Sequence, residues 1–162
     1  MRQDMSQKRV AVPPPLLCSM AEAKFSILEL SLFAAASRKT EADRVIATAQ
    51  RLLGGRARVG PLVREEGPVR MFRVDTEVPI SATGAYPALV ITFELLRPLS
   101  ELWQVVIPTP SLCRTLWHLW GITQHTNVVG LSQIFFQAHS DAPPSNEVRP
   151  NPSLQRTRYA RR

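Results

Sequence analysis

From Phe25 to Phe33 apolar and polar positions alternate, with Leu28, Leu30 and Leu32 on one side of an extended backbone and Glu29 and Ser31 on the other. That period of two predicts a half-buried strand. The period then changes. Ala42, Val45, Ile46, Ala49, Leu52 and Leu53 recur at spacings of three and four, which draws one apolar stripe along a helix. The spacing predicts a helix over Thr40 to Leu53, with Thr40 as N-cap answered by Asp43, Arg51 in the last turn and Gly54 as the stop.

Strand patterns return after the helix. Leu62 to Glu66 and Val69 to Val78 flank a Gly67-Pro68 turn, and in the second arm Phe72, Val74, Thr76 and Val78 alternate with Arg73, Asp75 and Glu77. Ser81 to Pro87 reads as a loop. Leu89, Ile91, Phe93 and Leu95 then alternate with Val90, Thr92 and Glu94, predicting a further strand that ends near Pro98. A short strand from Leu102 to Ile107 follows, closed by Pro108-Thr109-Pro110. Ser111 caps a short helix to about Trp120, although Thr115 to Trp120 fits an extended chain equally well. Leu131 to Ala138 is the last strand, with Ile134 and Phe136 on one face.

The predicted order is β-α-β-β-β-β-(α)-β. Strands in succession with short links favour an antiparallel sheet, here of five to six strands, covered on one face by the long helix. The fold class is α+β. Residues 1–23 form a leader, 24–139 the single domain and 140–162 a basic, proline-punctuated tail without periodicity, expected to be disordered.

Composition agrees with one globular domain: 162 residues, 44% hydrophobic and 20% charged. The net charge of +7 matters only through its distribution. Residues 25–140 carry eleven basic and nine acidic groups, whereas 141–162 carry five arginines against Asp141 and Glu147. The basic excess therefore sits mostly at the ends. Cys18 and Cys113 are too few for a disulfide framework and are expected to be reduced. No window approaches the ~20 apolar residues of a membrane span. Lys8-Arg9, the apolar run to Met20 and Ala21-Glu22-Ala23 outline an export signal, but Pro13-Pro14-Pro15 breaks its helix. A translation start at Met20 explains that segment more simply, and a cytoplasmic location is expected.

The run R-P-N-P-S-L-Q-R-T-R-Y-A-R-R, Arg149 to Arg162, resembles a tail carried by many unrelated bacterial proteins and derived from a dispersed repeat read through a coding end. The resemblance implies a bacterial source and covers only the tail.

Familiar chemistry is missing from the sequence. His118, His125 and His139 stand apart at spacings that do not suit a metal, and Cys113 has no C-x-x-C partner. There is no G-x-S-x-G elbow. Gly54-Gly55 and Gly60, with Arg56 and Arg58, follow a helix C-terminus, where the dipole repels anions. Glu65 and Glu66 point to opposite faces of a strand. Asp75 and Glu77 share a face, with Arg64, Arg70 and Arg73 near enough for ion pairs. No catalytic residue, metal ligand or cofactor is assigned. Trp103, Trp117 and Trp120, with His118, are candidate partner contacts if they reach the surface, and core residues if they do not.

The favoured expectation is a non-enzymatic protein-binding module, of the inhibitor or toxin-immunity type. The alternatives are nucleic-acid association through the arginine-rich ends, and an enzyme built from scattered residues, for which Asp75, Glu77 and His118 are the candidates.

Overall fold

The computed structural model of the chain describes residues 19–110 and 116–141. Strands β1 (Lys24–Ala35), β2 (Arg58–Arg64), β3 (Met71–Thr83), β4 (Gln104–Pro110), β5 (Trp117–Thr123) and β6 (Leu131–His139) form one sheet in the order β2-β3-β1-β6-β5-β4. Every neighbouring pair is antiparallel. Helices α1 (Lys39–Leu52) and α2 (Ala85–Leu96) pack on it. The α+β class and the antiparallel sheet are as expected from the sequence. The leader to residue 18, Cys18, Cys113, the proposed cap at Ser111 and the tail from residue 142 lie outside the described residues.

The core lies between the helices and one face of the sheet. Phe25, Leu28, Leu30, Leu32 and Ala34 of β1 are buried there, and Phe72, Val74, Thr76 and Val78 of β3 and Ile134 and Phe136 of β6 meet them. Each fully buried leucine contributes roughly 1.5–3 kcal/mol by leaving water. Helix α1 buries Ala42, Ile46 and Ala49. Its N-cap is Arg38 rather than Thr40, and Glu41 takes the place foreseen for Asp43. The Glu41 carboxylate accepts from the Ser37 hydroxyl at 2.9 Å and the Ser37 amide at 3.1 Å. Those bonds hold its carboxyl below the usual carboxylate range, the hydroxyl contributing most. The helix starts one residue earlier because a carboxylate at its third position tethers the preceding turn.

Two expectations fail. The strand foreseen at Leu89 to Leu95 is α2, so the described residues hold two helices in the order β-α-β-β-α-β-β-β. Alternation misled because the residues that pack inward are Ala85, Ala88, Thr92 and Leu96, a helical spacing made of mostly small side chains. Pro87 is no obstacle, since the amides of the first helical turn lack intrahelical acceptors. Thr92 satisfies its buried hydroxyl by donating to the Ala88 carbonyl at 2.8 Å. The second is the short helix running to Trp120, for which the extended alternative holds from Trp117 on. Residues Trp117–Thr123 are strand β5, hydrogen-bonded between β4 and β6. Its alternate residues Leu119, Gly121 and Thr123 face the core, which helical spacing would not achieve.

Candidate functional site: the open face of the sheet

With both helices on one side, the opposite face of the sheet is covered by no element among the described residues. Strand alternation sends every second side chain to it. The pairing register lines these side chains up in rows. One row runs Arg58, Glu77, Glu29, Gln137, Trp120, Val106 across all six strands. The next runs Asp75, Ser31, Phe135, Ile122, Gln104.

The rows divide into two halves. Over β2, β3 and β1 the face is charged. Ser31 donates to the Asp75 carboxylate at 2.7 Å, and Arg73 lies 3.1 Å from Glu65 and 3.4 Å from Asp75. The Gln137 amide donates to Glu29 at 2.5 Å and links this half to β6. A shallow cleft of about 640 Å³ lies over β2, β3, β1 and β6, lined among others by Arg58, Arg73, Asp75, Glu77, Glu29 and Gln137. Over β6, β5 and β4 the face is aromatic and apolar. Trp120 and Phe135 pack on each other, ring centres 6.0 Å apart at 39°. Both are half-buried, and neither packs against the core beneath the helices.

At the edge of the aromatic half, His118 and His139 are cross-strand partners whose rings stack 4.3 Å apart and 7° from parallel. Nε2 of His118 is buried without a hydrogen-bond partner among the described residues. Burial, and then the neighbouring His139, lower the His118 pKa, while Gln137 and Glu29 oppose them. Among the described residues no group of three or more histidines, cysteines or carboxylates could hold a metal ion, and no helix is long and apolar enough to cross a membrane.

The four candidate contact residues fall on two faces. His118 and Trp120 are on the open face. Trp103 and Trp117 point the other way and pack against the core. The Trp103 ring lies 5.4 Å from Phe136 at 64°, and its indole N–H donates to the Ser100 carbonyl at 3.1 Å. Asp75 and Glu77 share the cleft, but His118 does not. It stands on β5, three strand spacings from β3, or about 14 Å. The structure therefore does not unite that acid–base set.

Sequence reasoning missed Glu29, Ser31, Phe135, Gln137 and His139 as parts of one surface. Their alternation was visible, but the pairing that joins the first strand to the last was not. Comparison with protein-family models, with curated proteins and with solved structures finds no match to this chain.

Proposed function

We propose that the chain is a protein-binding module that acts by covering a partner's surface, and that the open sheet face is its contact area. The observation that carries this reading is the Trp120–Phe135 pair, two large rings held on a face where no element of the described residues covers them. An aromatic side chain can bury 150–250 Å² on being covered, and half-exposed Trp and Tyr or Phe anchors dominate many interfaces. His118 and Trp120 remain the contact residues of this reading, joined by Phe135. Trp103 and Trp117 serve the core instead. The charged half of the face would set orientation and the aromatic half affinity.

The test compares immobilised wild-type chain with Trp120→Glu, Phe135→Glu and Val90→Glu, the last on the exposed side of α2. A protein held by the wild type and by Val90→Glu, and released by both face variants with their circular dichroism unchanged, supports the reading. Equal retention by all four chains overturns it.

A further inference from the structure

Away from the open face, helix α2 runs out into a recess. Phe93 and Glu94 in its last turn, the cap residue Arg97, and Ser100, Glu101 and Trp103 in the link to β4 line a shallow cleft of about 450 Å³. That size falls within the ~300–1,000 Å³ usual for small-molecule sites. Its apolar walls are held in place. Phe93 and Trp103 both meet the buried Phe136 in T-shaped contacts, with ring centres 6.3 Å and 5.4 Å away.

The polar groups left for a ligand are charged ones. The Trp103 indole N–H is committed to the Ser100 carbonyl, and the Ser100 hydroxyl donates to the His125 carbonyl while accepting from the Leu102 amide. Glu94, Arg97 and Glu101, by contrast, are exposed and form no ion pair or side-chain hydrogen bond among the described residues. Two carboxylates against one guanidinium leave the cleft negative. The carbonyl end of α2 adds about half an elementary charge of the same sign. The last turn of a helix favours cations, yet this one carries Glu94 and no basic residue.

An inorganic ion would engage the carboxylates and leave the rings unused, and a neutral ring would do the reverse. An organic ammonium uses both, since its body covers apolar surface while its charge is drawn to the carboxylates and to the ring faces. We propose that this cleft binds a small organic cation, an ammonium carried on an aryl or alkyl body. Trp103 and Phe93 are its apolar walls, and Glu94 and Glu101 are its charge partners. The site stands apart from the open sheet face and does not depend on the role of that face.

The experiment titrates the full nitrogen-15-labelled chain with benzyltrimethylammonium, and separately with benzyl alcohol, phenylacetate and magnesium chloride. The cation is expected to move the Trp103 indole N–H and the amides of Glu94 and Glu101 along a saturable curve, with a dissociation constant on the order of 1 mM. Glu94→Gln/Glu101→Gln should weaken that binding roughly tenfold by removing two exposed charge partners. Trp103→Leu should weaken it roughly two- to fivefold by removing the ring face. The glutamine pair keeps the size of both side chains and leaves the core alone, so the test stands even if Trp103→Leu misfolds. Equal saturable shifts with benzyl alcohol would make the cleft an apolar recess, tighter binding of phenylacetate would assign it to Arg97, and equal shifts with magnesium would assign it to an inorganic ion. A larger movement at the Trp120 indole than at Trp103 would place the cation on the open face. Any of these, an unchanged affinity in the glutamine pair, or no saturable shift at all overturns the proposal.

Discussion

His118 shows how one side chain on an uncovered sheet face can carry a pH dependence. Its ring is stacked on His139, and its buried Nε2 has no hydrogen-bond partner among the described residues, so a proton added in the folded state meets both desolvation and a like neighbour. The folded pKa is lowered, whereas the unfolded chain takes up its proton near 6.5. The folded state therefore binds fewer protons, and the sign follows: the contribution is complete above about pH 6.5 and is lost as pH falls through the lower folded value. Urea midpoints of the wild type and His118→Gln should agree in their carboxylate-driven acid loss and differ near pH 6, where only the wild type has this imidazole to protonate. Parallel midpoint curves between pH 7.5 and 5 would show that the stacked pair contributes nothing.

Among the elements, those whose core-facing residues are large were legible. In β1, β3 and β6 leucine, phenylalanine, valine and isoleucine mark the buried side, while α1 was legible from spacing rather than size: it buries Ala42, Ile46 and Ala49, and Leu52 of the foreseen stripe is exposed. Helix α2 was not legible, because of its inward positions Ala85, Ala88, Thr92 and Leu96 only the last is large, while Tyr86 and Val90 stay exposed. Size and burial run opposite there, and apolar content alone cannot say which side is in. Pro87 just inside the start was the available signal. The same small-residue logic governs β5. Gly121 has ordinary backbone angles, but a Cβ on it would stand 2.5 Å and 2.7 Å from two atoms of the Phe136 ring and 3.0 Å from the Gln104 carbonyl oxygen. Phe136 is itself fully buried, wedged by Trp103 and Phe93, so the ring has nowhere to go. Gly121→Ala is expected to cost about 1–3 kcal/mol through overpacking, read as a lower urea midpoint. An unchanged midpoint would mean that the ring can shift without loss.

At the scale of the molecule, the order β2-β3-β1-β6-β5-β4 places the first strand third from one edge and pairs it with the last. Glu29 and Gln137 meet across 108 residues of sequence. No local pattern announces such a contact, which is why the two halves of the open face were visible as separate alternations and not as one surface. The same topology predicts an uneven stability. Strands β1 and β6 are hydrogen-bonded on both sides at the centre, over the buried Leu30, Leu32, Ile134 and Phe136, whereas β2 and β4 are each paired on one side only among the described residues. Central amides must await sub-global or global opening before they exchange, and edge amides exchange by local fraying. Native-state hydrogen exchange should therefore rank the amides of Leu30, Leu32 and Phe136 slowest and those of Val59, Val63 and Val105 fastest, although β1 lies first in the sequence. Central closure also requires the longest loop, so mutations at Leu30 or Phe136 should slow refolding if that pairing belongs to the transition state. Protection that fell away from α1 and the β2–β3 hairpin, with β6 exchanging as freely as the edges, would contradict the sheet order. The open face would then lose the row of side chains from which its binding role is argued.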